Sequence, residues 1–166
     1  VLRHLIFPRP FVLNYKKKKI ICAEIGVNRG HHALSILKHL NVKKIYLVDN
    51  YSTKDKNFLY AKKYLKKYKK KIVWINMNFK NKEIQNLIKE KLDFAYYDAG
   101  KSYSDTKSFF NIFKKIIKKN GYFCGHDFNN GYQKKHSSLV NAVIEFSIRK
   151  NKQLYSQGAD WWIKNK

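Results

Sequence analysis

Short apolar runs alternate with stretches of helical spacing along most of the 166-residue chain. Residues 20–25, 44–48, 72–75, 92–97 and 122–125 are compact apolar runs, the pattern of strands covered on both faces. Between them, residues 31–40, 55–70, 82–91 and 137–150 have the periodicity of helices. The 55–70 repeat runs through Phe58, Leu59, Lys62, Leu65 and Tyr68, and the 82–91 repeat through Ile84, Leu87 and Ile88. A further helix is expected to open at Ser104 as N-cap and to bury Phe109, Phe110, Phe113, Ile116 and Ile117. Asn120-Gly121 should stop it as a left-handed cap. Two short strands, 153–156 and 161–164, close the chain. Residues 157–160 are too few for a parallel crossover, so the last strand must run antiparallel. The predicted architecture is α/β: a Rossmann-like, doubly wound seven-stranded sheet, mostly parallel with an antiparallel last strand. It reads as one domain over residues 1–166, with 1–15 as an extended lead-in.

The formal net charge of +25 changes this picture little. Nearly all the basic residues are lysine, and arginine, the better bidentate reader of bases and phosphates, occurs only at positions 3, 9, 29 and 149. Lysine runs such as 16–19 and 69–71 read as solvated faces that also favour anionic substrates. Nucleic acid is therefore a less favoured partner than a small molecule. Cys22 and Cys124 fall in two strand-like runs and read as buried free thiols of a reducing compartment, which points to the cytoplasm. No apolar run approaches transmembrane length, so no membrane partner is expected.

Chemistry concentrates at the ends of the predicted strands. The first strand runs into Glu24-Ile25-Gly26-Val27-Asn28-Arg29-Gly30 and then a helix start, the arrangement that sets backbone N–H groups against a nucleotide. The spacing is E-x-G-x-x-x-G, not the G-x-G-x-x-G of dinucleotide binders, because Asn28 replaces the second glycine and His31 the third. Asp49 ends the second strand at the distance where an acid accepts ribose hydroxyls, and Asn50 and Tyr51 follow where they could flank an adenine. The fourth strand delivers Asp98 and Lys101. The fifth delivers His126 and Asp127, with Asn129 and Asn130 just beyond. Paired carboxylates beside such groups suit a hard divalent cation. Without one, Lys101 is expected to pair with Asp98. His31 and His32 sit at a helix start with no chemical role, while Trp161 and Trp162 read as one core and one sheet-surface residue.

Glu24-Ile-Gly26 resembles motif I of class I S-adenosylmethionine (SAM) methyltransferases. The resemblance tightens at Asp98-Ala-Gly-Lys101-Ser-Tyr103 and Gly125-His126-Asp127-Phe128, which are similar to the D-G-x-H-S-Y and G-H-D-[YF] motifs of small O-methyltransferases. That family includes macrolide-sugar enzymes and is related to the catechol and caffeoyl-CoA enzymes. The resemblance implies SAM as cofactor, held by Glu24, Gly26, Asn28, Gly30, Asp49, Asn50 and Asp98. It implies Asp98 and Asp127 as ligands of Mg²⁺ or another divalent cation, Lys101 as base, and a hydroxyl of a small molecule or sugar as acceptor. On its own chemistry His126 is the other catalytic candidate, or else a satisfied strand-end histidine. An RNA methyltransferase and a non-catalytic nucleotide- or nucleic-acid-binding module on the same fold are the alternatives. Two departures stand out. Lys101 replaces the family's usual histidine, and His126 stands where some relatives carry a ligating acid.

Overall fold

The computed structural model describes residues 18–52, 54–128 and 137–166. The lead-in expected for residues 1–15, and Asn129 and Asn130, lie outside them. Seven strands form one sheet: β1 (Ile20–Ile25), β2 (Val42–Asp49), β3 (Ile72–Asn76), β4 (Leu92–Tyr97), β5 (Ile117–Gly125), β6 (Leu154–Gln157) and β7 (Asp160–Lys164). Their order is β3-β2-β1-β4-β5-β7-β6. β3 through β5 are parallel, and β7 is antiparallel to both its neighbours. The expected doubly wound sheet with an antiparallel last strand is present. The direction of the chain reverses between β1 and β4, where the winding changes side.

Alternation along the inner strands divides two apolar layers. Ala23, Ile25, Ala95, Tyr97 and Phe123 face one side, where Phe109, Phe110 and Phe113 of a helix at Tyr103–Phe113 meet Leu139 and Val143 of a helix at Ser137–Arg149. Cys22, Leu47, Phe94 and Cys124 face the other, under Ala33, Ile36 and Leu37 of a helix at His31–His39. In chain order the helices are α1 (His31–His39), α2 (Lys56–Tyr64), α3 (Ile84–Leu87), α4 (Tyr103–Phe113) and α5 (Ser137–Arg149). Both cysteines are buried free thiols. No helix among the described residues is long and apolar enough to cross a membrane.

Several boundaries differ from those expected. The helix over 55–70 divides into α2, capped by Asp55 accepting from the Asn57 N–H at 2.7 Å, and a 3-10 helix at Lys66–Lys71. Its buried face is Phe58, Ala61 and Leu65, while Leu59 is 55% exposed. The helix over 82–91 shrinks to the single turn α3, because Ile88 turns extended to lead into β4 and leaves Leu87 in solvent. Ser102, not Ser104, caps α4: its hydroxyl accepts from the Asp105 N–H at 3.0 Å. Ile117 belongs to β5, paired with Leu92, and Asn120 adopts its left-handed φ of 66° inside that strand at a register irregularity. Asn120 thus bends a strand and stops no helix. Trp161 and Trp162 are both buried, for β7 is an inner strand covered on both faces.

Gly125 shows how closely β4 and β5 approach at their carboxyl ends. A Cβ there would lie 2.4 Å from the Tyr97 carbonyl oxygen and 2.9 Å from the Trp161 ring. Neither backbone nor a fully buried indole can give way. Gly125→Ala is therefore expected to destabilise the fold by about 1–3 kcal/mol, read as a lower urea midpoint with unchanged slope. An unchanged midpoint would contradict this packing.

Candidate active site

Hydrogen bonds that run one residue past each strand hold the site together. The Gly26 N–H donates to the Val48 carbonyl at 2.9 Å, the Asp98 N–H to Ile25 at 2.8 Å and the His126 N–H to Tyr97 at 3.0 Å. Gly26, Asp98 and His126 are thereby fixed side by side along the carboxyl edge of β1, β4 and β5. Gly26 (φ 88°) is irreplaceable on steric grounds, since a Cβ would stand 2.1 Å from the Asp98 carbonyl oxygen. Asn28 and Gly30 also have positive φ, at 49° and 77°, which closes the turn before α1.

Asp49 braces that turn. Its Oδ2 accepts from the Val27 N–H at 2.7 Å and the Asn28 N–H at 2.9 Å, and its Oδ1 accepts from the Asn50 N–H at 2.7 Å. The turn's N–H groups expected to face a ligand are thus directed at Asp49. Asp49, Asn50 and Gly26 line a cavity of about 260 Å³ together with Phe79, Lys80 and Ala99. Asn78 and Asp105 complete the wall, and a 2.9 Å ion pair between Lys80 and Asp105 bridges it. Tyr51, expected beside an adenine, instead donates to the Asn28 carbonyl and stacks on Phe58 at 4.9 Å. The β3–α3 loop and Asp105 were not singled out from the sequence. The available signal was their place beyond the end of β3 and at the start of α4.

Beneath the turn, Glu24 is buried, with Oε1 3.2 Å from His32 Nδ1 and, among the described residues, no hydrogen-bond partner for Oε2. Burial, then the neighbouring charges of Asp98 and Asp49, push its carboxyl well above the usual carboxylate range. Three acids, Glu24, Asp49 and Asp98, thus lie close enough to sense one another around the turn of a strongly cationic protein. An orphaned buried oxygen and a local negative potential fit a ligand that carries a positive charge and donors, such as a sulfonium with an α-ammonium group.

The second centre adjoins the first through Asp98. One oxygen or nitrogen from each of Asp98, His126 and Asp127 falls within 4.8 Å of the others. Asp127 is buried, with φ 65°, and both its oxygens are engaged: Oδ2 lies 2.5 Å from Lys101 Nζ and Oδ1 3.1 Å from His126 Nδ1. The expected Lys101–Asp98 pair is thus replaced by a Lys101–Asp127 pair, because Asp127 is aimed inward from the end of β5. Burial opposes ionisation of Asp127, but hydrogen bonds from His126 and Lys101 outweigh it and hold the carboxyl well below the usual range. Trp161 Nε1 donates to the His126 carbonyl at 3.2 Å, and the Phe128 N–H to Ala159 at 2.9 Å, which fixes the segment on both sides.

This fold is that of a methyltransferase domain. Residues 23–128 match the family model described as a methyltransferase domain, and the chain belongs to that family. Among solved structures, it resembles a Streptococcus mutans protein assigned as a methyltransferase and solved with SAH, at 15% identity and TM-score 0.71, over 94% of each chain. It also resembles an rRNA methylase from Streptococcus thermophilus (13%, TM-score 0.67, over 93% of this chain and 90% of that one). A third is a TDP-rhamnose 3′-O-methyltransferase of calicheamicin biosynthesis (15%, TM-score 0.68, over 89% and 72%). At such identities the likeness is one of fold. Among curated proteins, no sequence matches this chain.

Because its folded pKa is depressed, the stability Asp127 contributes is present in full above the unfolded carboxyl value of about 3.9 and is lost as pH falls through the lower folded value. Asp127→Asn keeps a residue that tolerates positive φ but removes the charge. Its thermal midpoint is expected to lie below that of the native protein by a constant gap above about pH 5, closing as pH falls below about 4. A gap that persists unchanged at lower pH would show that Asp127 is not held ionised.

Proposed function

We propose that the protein transfers the methyl group of SAM to a hydroxyl oxygen of a small molecule or sugar. The gathering of Lys101 and His126 on Asp127, beside Asp98 and next to the cofactor cavity, carries this reading. In it, Gly26, Asn28 and Gly30 form the turn under the cofactor with Glu24 beneath them, Asp49 and Asn50 take its ribose, and Asp98 stands between cofactor and acceptor. When bound, SAM supplies an electrophilic methyl group on sulfur.

Transfer to oxygen requires the acceptor held in line with that methyl and its proton removed as the C–O bond forms. Positioning supplies the larger part of the barrier reduction. His126 can accept the proton in its neutral form, through the ring nitrogen not directed at Asp127, whose carboxylate then compensates the charge gained; Lys101 can do so only as the free amine, after giving up the proton with which it pairs to Asp127. Asp127 also fixes the direction of both, so the base does not have to be reoriented during reaction. A hydroxyl acceptor suits this pairing of base and buried carboxylate.

The donor set of Asp98, Asp127 and His126 fits a divalent cation. Two carboxylates with one imidazole and water suit Mn²⁺ at least as well as Mg²⁺, whose preference is for oxygen throughout. When bound, such an ion supplies Lewis acidity that acidifies a hydroxyl. The fold relatives include both a sugar O-methyltransferase and an rRNA methylase, so the acceptor class rests on the site chemistry and not on them.

Lys101→Ala and His126→Ala are to be compared in a radiolabelled methyl-transfer assay against a panel of hydroxylated acceptors, with SAH affinity measured by calorimetry. The residue that serves as base should lower kcat by about 10²–10⁴-fold with SAH affinity unchanged. Full kcat in both variants would remove the acid–base assignment, and failure of the native protein to bind SAH would remove the cofactor sites.

A further inference from the structure

A second surface, outside the cavity and both centres, carries features that the methyl-transfer reading does not use. His31, the residue after Gly30, is exposed and meets two exposed tyrosines of α2. Its ring lies 5.0 Å from Tyr64 and 5.8 Å from Tyr60, and Tyr60 and Tyr64 stack at 5.5 Å with planes 28° apart. Tyr60 is 45% exposed and Tyr64 40%. Rings of this size ordinarily turn their faces into a core, and the core of this layer is already filled by Phe58, Ala61 and Leu65 beneath them.

The surroundings of these rings are cationic. Residues 54–71 contain nine lysines and a single acid, Asp55, which is engaged as the cap of α2. Lys56 and Lys63 stand four residues before and three after Tyr60, which puts them on the tyrosines' face of the helix. Lys67 follows Tyr64 by three residues, and Lys38 lies two turns beyond His31 on α1. All four lysines are exposed.

We propose that this α1–α2 face docks single-stranded RNA, with unpaired bases stacking on Tyr60, Tyr64 and His31 and lysines pairing with the phosphates. Stacked aromatic side chains flanked by cations are what a flexible strand with free base faces requires. RNA presents such bases in loops and ends, and is read there by stacking on Tyr and His. Duplex DNA is a poor fit, since its bases are stacked on one another and offer no free faces to Tyr60, Tyr64 and His31. A membrane surface fits less well too: the patch has hydroxyls and an imidazole, with Leu59 as its one exposed aliphatic side chain between residues 54 and 71. The proposal does not rest on the hydroxyl-acceptor reading, because no residue of the two centres takes part.

The test is fluorescence anisotropy of the full chain with a labelled single-stranded RNA dodecamer, against duplex DNA and phosphatidylserine vesicles. Native protein should prefer the RNA. Tyr60→Ala combined with Tyr64→Ala should weaken RNA binding about tenfold or more, with SAH affinity by calorimetry unchanged as the check on folding. Lys56→Gln, Lys63→Gln and Lys67→Gln together should lower the slope of log affinity on log salt by about 2. RNA affinity that is insensitive to the tyrosines would overturn the proposal, reducing the face to a general polyanion surface. So would stronger binding to the vesicles or duplex than to the RNA. If the tyrosine variant also loses SAH, the single variant Tyr64→Phe, which keeps the ring, should retain both affinities. Loss of RNA binding in that variant would equally count against stacking.

Discussion

The close approach of β1 and β4 at their carboxyl ends is the constraint on which the rest of the site depends. Gly26 lies against the Asp98 backbone with no room for a Cβ, and the Asp98 N–H is bonded to Ile25. The turn that leads into α1 and the strand end that leads to Lys101 therefore share a wall one backbone thick. A cofactor held at the turn and an acceptor held beyond Asp98 would meet across that wall without any movement of domains. Gly125 does the same for β4 and β5, bringing His126 and Asp127 into line. Two glycines thus set the spacing of three strand ends, and the side chains that follow are placed by the sheet itself rather than by mobile loops.

Charge is divided across the molecule in the same plan. Of eleven acids, Asp49, Asp98, Asp105 and Asp127 stand at the cavity and the adjoining centre, with Glu24 buried in electrostatic reach of Asp49 and Asp98. The face formed by α1 and α2 is left to lysine. A protein of net charge +25 would repel a cationic ligand at long range, and this local concentration of carboxylates would offset that repulsion. Glu24 shows what that concentration costs: burial near Asp98 and Asp49 raises its proton affinity, and His32 is the partner that partly relieves it. The sequence placed His32 at a helix start; its pairing with Glu24 depends on α1 packing back over β1.

How much was legible follows from how local each signal is. β1 and β4 have the bounds expected from their apolar runs, since an inner parallel strand is apolar throughout and ends where polar residues begin. The antiparallel close was legible from a short connection alone. The start of β5 was not, because Ile116 and Ile117 continue the helical period of α4 while Ile117 in fact pairs with Leu92. Asn120-Gly121 has the same local signature in a bent strand as at a helix end. Asp98, Lys101, His126 and Asp127 were singled out in the sequence because each lies within four residues of a strand end, and the structure brings them close together. Lys80 and Asp105 were missed because their ion pair joins segments 25 residues apart that meet only when α4 folds under the β3–α3 loop. The partner of Lys101 was misplaced for a related reason. Spacing brings Lys101 near Asp98, but the positive φ of Asp127 is what aims the second carboxylate at it.

That left-handed residue explains the arrangement of the second centre. A non-glycine residue with φ 65° inside a buried segment is retained only when surrounding contacts over-determine it. Here the Phe128 N–H on Ala159 and the Trp161 indole on the His126 carbonyl hold the chain on either side. An extended conformation at this position would carry the Asp127 side chain away from Lys101 and separate it from the His126 imidazole. The conformation therefore gathers Lys101 and His126 on one carboxylate, within reach of Asp98. Lysine and metal are alternative counter-charges for one buried anion. A cation bound between Asp98 and Asp127 would compete with Lys101 for that carboxylate, because both call on the same buried side chain.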